Sequence, residues 1–253
     1  MKKIALISGA TAGIGEALAR KFAENNYNLI LTGRRTERLE KIKVELTNKF
    51  DTEILTLNFD IRNLSEVENA VNKITGSWKN IDVLINNAGL AAGATSIQDG
   101  AYDDWERMID TNVKGLLYLS RNIIPLFIER KKGHIINIGS IAGKQVYPNG
   151  NVYCGTKAAV QSITEGMRID LVRYGIKVTQ IAPGAVETEF SMVRFHGDSE
   201  AAKKVYKGYI PLTASDIADV AYYTTTLPEH VNINDLLITP TAQANAYVYN
   251  KSE

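Results

Sequence analysis

Ile4-Ala5-Leu6-Ile7-Ser8-Gly9-Ala10-Thr11-Ala12-Gly13-Ile14-Gly15-Glu16-Ala17-Leu18-Ala19-Arg20 opens the chain with an apolar run, a glycine-rich turn and an amphipathic stretch. This reads as strand, turn, helix. Gly9 permits a tight turn, Gly13 lets the backbone come close to a ligand, and Gly15 allows the helix to pack closely on the strand. Thr11, Ala12 and Ile14 fill the remaining turn positions, in a G-x-x-x-G-x-G spacing rather than the commoner G-x-G-x-x-G. The unpaired N–H groups and positive dipole end of the helix would face an anion, so a nucleotide pyrophosphate is the ligand this segment suits. The turn's place after the first strand, before a helix with no further glycine until Gly33, gives the reading its weight.

Outward from that unit, apolar runs alternate with amphipathic stretches to the end of the chain, the pattern of a parallel sheet covered by helices on both faces. Strands are expected at Lys3 to Ser8, Asn28 to Thr32, Glu53 to Asn58, Val83 to Asn86, His134 to Ile138, Lys177 to Ile181 and Leu236 to Thr239. Helices are expected to begin near Gly13, Arg35, Leu64, Tyr102 and Tyr153, with Ser65 capping the third; a further helical region spans about Glu200 to Thr226, its second half capped at Ser215-Asp216. The fold class is therefore α/β: a single-domain Rossmann-type doubly wound sheet of seven parallel strands over residues 1–253. In such a sheet ligands sit beyond the carboxyl ends of strands, where the strand order reverses. Gly9, Arg34, Asp60, Asn87, Ser140 and Pro183 all fall at or just past strand ends, as one cleft requires.

Composition removes several function classes. With 29 basic and 28 acidic residues the net charge is +1, which gives nucleic acid or an anionic membrane no overall attraction. No apolar run is long enough for a membrane span or a cleavable leader, so a soluble cytoplasmic protein is expected. Cys154, the only cysteine, excludes an internal disulfide and reads as a small, half-buried helix residue. His134, His196 and His230 lie far apart without ligand spacing, so no metal is expected. Arg130-Lys131-Lys132 ends a helical segment, where cations suit the dipole, and Asp103-Asp104-Trp105-Glu106 suits a helix start.

Candidate chemistry gathers around Tyr153 and Lys157, four residues apart in Y-C-G-T-K, with Ser140 closing the apolar run before them. On a helix, i and i+4 share a face, so the ammonium would lie near the phenol and lower its pKa from about 10 toward a usable acid-base range. After the second strand, where a site selecting NAD usually offers an acid, the chain has Gly33-Arg34-Arg35. Two guanidiniums suit a 2′-phosphate, so NADP is the expected cofactor.

Taken together, the glycine turn Gly9 to Gly15, Asn86-Asn87-Ala88-Gly89, the Ser140/Tyr153/Lys157 set and Pro183-Gly184 occur in the order of the classical short-chain dehydrogenase/reductase family, which the chain resembles from about Lys3 to about Ala244. More narrowly, Gly133 to Ser140, Thr188-Glu189-Phe190-Ser191 with Val193-Arg194-Phe195, and Leu227 to Asn234 resemble the bacterial and yeast NADP-dependent 3-hydroxy acid dehydrogenases, which act on serine and allo-threonine. The resemblance implies Tyr153 as proton carrier, Lys157 as its electrostatic partner and a donor to the nicotinamide ribose, and Ser140 as hydrogen-bond partner of the substrate oxygen. It implies that Asn112 helps position a water linking Lys157 to solvent, a duty in keeping with an asparagine in mid-helix. It places Asp60 and Ile61 at the adenine, and Asn87, Ala88 and Gly89 along the adenosine ribose. Pro183 and Gly184 through Val186 to Thr188 cross the nicotinamide, with Thr188 at its carboxamide. It also implies a homotetramer built on the two long helices, about Tyr102 to Pro125 and Tyr153 to Tyr174.

The segment from Thr188 to about Lys207 mixes Phe190, Met192 and Phe195 with polar residues and is expected to be a mobile lid. Arg194 is its distinctive cation and is expected to pair with a substrate carboxylate. Ser8 in place of a threonine, Ala182 in place of an acid, and a shorter Ala185-Val186-Glu187 depart from the narrower group and bear on substrate identity. A carbonyl reductase for another ketone, sugar or acyl thioester would share every catalytic residue. An NADP-sensing regulator without turnover is the reading from another class, and the retained Tyr153 speaks against it.

Overall fold

The computed structural model describes residues 2–252. Seven strands, β1 Ile4–Ile7, β2 Asn28–Gly33, β3 Ile54–Asn58, β4 Ile81–Asn86, β5 Gly133–Ile138, β6 Ile176–Pro183 and β7 Asp235–Ile238, form one sheet in the order β3-β2-β1-β4-β5-β6-β7. Every pairing is parallel, from Ile4 beside Asn28 to Pro183 beside Ile238. The order reverses between β1 and β4, which puts the crevice beyond their carboxyl ends, at Gly9 and Asn87.

Alternation along the strands builds two cores. Ala5, Ile7, Leu29 and Leu31 point to one face, under α1 (Gly13–Glu24), α2 (Thr36–Lys49) and α9 (Ala214–Thr226), where Leu18, Phe22, Leu39 and Ile217 meet them. Ile4, Leu6, Ile30 and Leu84 point to the other, under α3 (Leu64–Asn72), α5 (Leu116–Arg130) and α6 (Asn151–Leu171), with Val67, Leu119, Ile123 and Leu171. Both faces are dry, which is why the strands read as unbroken apolar runs rather than as alternating ones. No described helix is long and apolar enough to cross a membrane.

Several helix boundaries differ from the sequence reading, for local reasons. Asn63, not Ser65, caps α3: its side-chain Oδ1 accepts from the Ser65 and Glu66 amides, two of the four donors a helix start leaves open. The helical region expected over about Glu200 to Thr226, with its second half separately capped, is two helices, α8 (Ser199–Lys204) and α9, parted where Gly208 adopts a φ of 86° and Pro211 lacks an amide hydrogen. Thr213 caps α9 in a reciprocal box with Asp216, so Ser215 has no capping role. The stretch from Tyr102 is likewise composite: α4 (Tyr102–Ile109), a π-helical turn Asp110–Gly115, then α5. Short α7 (Phe190–Arg194) follows β6 and leads to α8.

Candidate active site

One cleft of about 530 Å³ runs along the carboxyl ends of the strands. Its wall at β1 is the glycine turn. Gly9 and Gly13 hold φ values of 66° and 54°, which a side chain would strain. A Cβ on Gly15 would lie 2.2 Å from the Gly9 carbonyl and 2.5 Å from Asn87 Nδ2, so α1 starts hard against the turn. Asn87 braces it further, donating from Nδ2 to the Ser8 carbonyl at 2.9 Å and the Gly9 carbonyl at 3.3 Å. Ser8 Oγ in turn accepts from the Asn87 and Ala88 amides, both at 3.0 Å. Serine thus meets the bonding demand of the position where a threonine was expected.

The residues of this wall fit a dinucleotide. Ala12, the N-cap of α1, offers no side-chain oxygen, so the first-turn N–H groups point into the cleft without a side-chain acceptor. Arg34 and Arg35 stand past β2, and Asp60, Ile61, Ala88 and Gly89 line the groove between them and the cleft centre. Asp60 is 3.7 Å from Arg34 and 2.6 Å from Arg62. Burial alone would raise its carboxyl pKa, and the hydrogen bonds from Arg62 more than reverse that, holding it below the usual range.

At the centre the structure brings Ser140, Tyr153 and Lys157 to the same cleft. Ser140 ends the run after β5, its Oγ accepting from the Ala142 amide at 3.1 Å. Tyr153 lies in the first turn of α6, which begins at Asn151, and Lys157 one turn on. The direction of the shift at the phenol is opposite to the expected acidification. Burial pushes the Tyr153 hydroxyl well above its ordinary range, Tyr147 adds to the rise, and Ser140 and the Arg194 charge pull down less than these raise. Lys157 is itself buried, which lowers its ammonium from 10.5 to about 8. Its Nζ donates to the Ile138 carbonyl at 2.9 Å and stands 6.0 Å from the centre of the Tyr153 ring. Shared helical spacing gives the proximity, but loss of hydration, not the Lys157 charge, is the largest influence on the phenol.

Asn112 sits in the π-helical turn, where the extra residue turns its amide inward. Nδ2 donates to the Leu90 carbonyl at 2.8 Å and to Thr156 Oγ1 at 3.0 Å, and Oδ1 accepts from the Leu90 amide at 2.8 Å. Asn112 Oδ1 and Lys157 Nζ flank Gly89, 3.3 and 3.5 Å from where a Cβ would stand.

The segment after β6 forms the opposite wall. Pro183, Gly184, Val186 and Thr188 line the cleft. A Cβ on Gly13 would meet the Thr188 Cβ at 3.3 Å. Arg194 also lines it; its Nη1 donates to the Tyr147 hydroxyl at 3.1 Å, its guanidinium lies over the Tyr147 ring, and its buried Nε has no partner.

Several cleft residues escaped the sequence reading. Tyr147, Tyr206 and Tyr249 line it from three separate segments, and Gln243 closes its floor by accepting from the Ala185 amide at 2.9 Å. Glu189 pairs across the cleft with Arg35 and Arg38. Only Arg38 left a sequence signal, three residues after Arg35 on one helix face. No cluster of His, Cys, Asp and Glu among the described residues is arranged to hold a metal.

Comparison with known proteins agrees with this geometry. Residues 3–199 match the family model described as short chain dehydrogenase. The chain is 47% identical over 244 residues to the NADP-dependent 3-hydroxy acid dehydrogenase of Salmonella typhi, covering 96% of this chain and 97% of that one. It is 43% identical over 245 residues to sulfoacetaldehyde reductase 2 of Chromohalobacter salexigens, covering 96% of each. Among solved structures it superposes on the closed form of a serine dehydrogenase complexed with NADP+ with a TM-score of 0.92, at 44% identity, over 99% of this chain and 100% of that one.

Proposed function

The chain belongs to the short-chain dehydrogenase family, and from that premise we propose that it is an oxidoreductase moving a hydride between NADP(H) and a small hydroxy or keto substrate, a 3-hydroxy acid such as serine or allo-threonine. The observation that carries this is the meeting, in one cleft, of an arginine-rimmed glycine turn with Ser140, Tyr153, Lys157 and Arg194.

Gly9 to Gly15, with the open N–H groups of α1, would hold the diphosphate, and Arg34 and Arg35 the 2′-phosphate. Asp60, Ile61, Asn87, Ala88 and Gly89 would flank the adenosine, and Pro183, Gly184, Val186 and Thr188 the nicotinamide half. The bound dinucleotide supplies the hydride donor or acceptor. Tyr153 in its protonated form would donate its proton to the carbonyl oxygen in the reductive direction, and its phenolate would take the hydroxyl proton in the oxidative one. Ser140 holds that oxygen. Lys157 charges and discharges near pH 8, so its ammonium favours the phenolate when the proton has left. Asn112 is a positioning residue that fixes Leu90 and Thr156 beside it.

Arg194, with a buried Nε free of partners and the Tyr147 hydroxyl beside it, would take the substrate's carboxylate. The residues from 188 to about 207 act as the lid that carries it. The sulfoacetaldehyde reductase likeness favours a second reading, an aldehyde bearing another anionic group, for which the same cation serves. A homotetramer in the cytoplasm completes the proposal. Exposed Leu117, Ile169 and Val172 on the two long helical segments are the apolar surface it would cover.

Absorbance at the reduced-nicotinamide band, followed for serine, allo-threonine, 3-hydroxypropionate and sulfoacetaldehyde with NADP and NAD, tests the proposal. Turnover on 3-hydroxy acids with a preference for NADP is expected; dinucleotide binding without turnover on any of them would contradict it.

A further inference from the structure

Glu189 stands one residue before α7, at the base of the lid, and its carboxylate is shared by Arg35, the N-cap of α2, and Arg38 within it. Arg38 Nη1 donates to both its oxygens at 2.9 Å, and Arg35 Nη1 to one of them at 3.2 Å. Arg35 also donates to Thr11 Oγ1 from Nε at 3.1 Å and from Nη2 at 2.8 Å, which pins its guanidinium to the glycine turn. Arg34 has Asp60 as counter-ion at 3.7 Å. Each guanidinium at this end of the groove is thus matched to a carboxylate of the chain itself, and two of the three are matched to the lid. Beside Glu189, the Thr188 methyl would stand 3.4 Å from a Cβ on Gly13, so the lid base spans from the turn to α2.

A 2′-phosphate brings up to two negative charges to the same place. It must draw Arg35 away from Glu189 or lie close to that carboxylate, and planar guanidinium groups favour phosphate through paired bonds. We propose that Glu189 is a specificity-tuning residue: an internal counter-ion that competes with the 2′-phosphate of NADP(H) for Arg35 and Arg38. It weakens binding of the phosphorylated cofactor, leaves NAD(H) binding alone, and ties the position of the lid base to whether the cofactor carries that phosphate. The inference rests on the reading of the groove as a dinucleotide site. Arg35 and Arg38 hold the Glu189 carboxyl below its usual pKa against the opposing effect of burial, so the competitor is ionised at neutral pH. About half of each side chain is exposed, so salt screens the competition and keeps it modest.

Titration of wild type and Glu189→Gln with NADPH, NADH and adenosine 2′,5′-bisphosphate, at low and at high salt, tests it by binding alone. The substitution keeps the side chain's size at a half-exposed position, so the fold is retained. Glu189→Gln is expected to bind NADPH and the bisphosphate roughly three- to tenfold tighter at low salt, with the gain shrinking at high salt and NADH within about twofold. Unchanged or weaker NADPH binding, or an equal gain for NADH, overturns the role of Glu189. A wild type that binds none of the three would overturn the dinucleotide reading itself, and the inference with it.

Discussion

The glycine-turn wall of the cleft and the segment proposed as its lid differ in what holds them. The wall is backbone and short polar side chains: Gly9, Gly13 and Gly15 set its path, and Ser8 and Asn87 tie it to β4. The lid is two short helices held by long side chains, Glu189 to Arg38, Tyr206 to the Val186 carbonyl and His196 to Asp104. A wall set by backbone leaves no room for a side chain at Gly15 and strains one at Gly9 or Gly13. A lid held by side chains is free to vary, and with it the substrate.

The largest expected effect is therefore on the wall. In Gly15→Ala the added methyl would sit 2.2 Å from the Gly9 carbonyl, backbone that cannot yield cheaply. A destabilisation of about 3 kcal/mol and an NADPH affinity at least about a hundredfold weaker are expected from thermal melts and fluorescence titration. Should the variant bind cofactor normally, the wall is not the rigid element described. On the lid, Arg194→Ala should lower kcat/KM for a 3-hydroxy acid by roughly 10- to 100-fold and for its methyl ester by less than about threefold, with NADPH affinity unchanged. Equal losses for acid and ester would remove the carboxylate subsite.

A smaller effect is expected at Lys157, on α6, whose ammonium is lowered by burial to about 8 against 10.5 when unfolded. Between those pH values the unfolded chain holds the extra proton, so stability rises with pH across that window. Below pH 8 the buried charge costs on the order of 3 kcal/mol, offset in part by its bond to the Ile138 carbonyl. Lys157→Met should accordingly melt a few degrees higher than wild type near pH 7, by about 2–4 °C per kcal/mol, and the gap should close toward pH 10. A lower melting temperature at pH 7 would mean that the ammonium stabilises the fold.

Legibility in the sequence followed the same division. Strand positions, sheet class, the glycine turn and the arginines after β2 were readable, because each depends on a local pattern: apolar runs, glycine spacing, charge at a strand end. The Ser140, Tyr153 and Lys157 set was readable as a motif. What failed depended on residues distant in sequence or on burial. Glu189 lies 151 residues from Arg38, and Tyr249 reaches the cleft from the far end of the chain. The direction of the Tyr153 shift turned on loss of water around both it and Lys157, which spacing on one helix does not reveal. The division of the helical region after Glu200 was readable from a cap in its second half, and only the capping residue, Thr213 rather than Ser215, was misplaced.

Turnover and NADPH affinity of Tyr153→Phe, measured side by side, bear most directly on the claim that this phenol exchanges the reacting proton in a cleft whose cofactor wall stands independently of it. Turnover should fall by at least about a thousandfold, the loss of an essential general acid, with NADPH affinity within about threefold of wild type. Near-full turnover in the variant, with the dinucleotide still bound, would contradict the account.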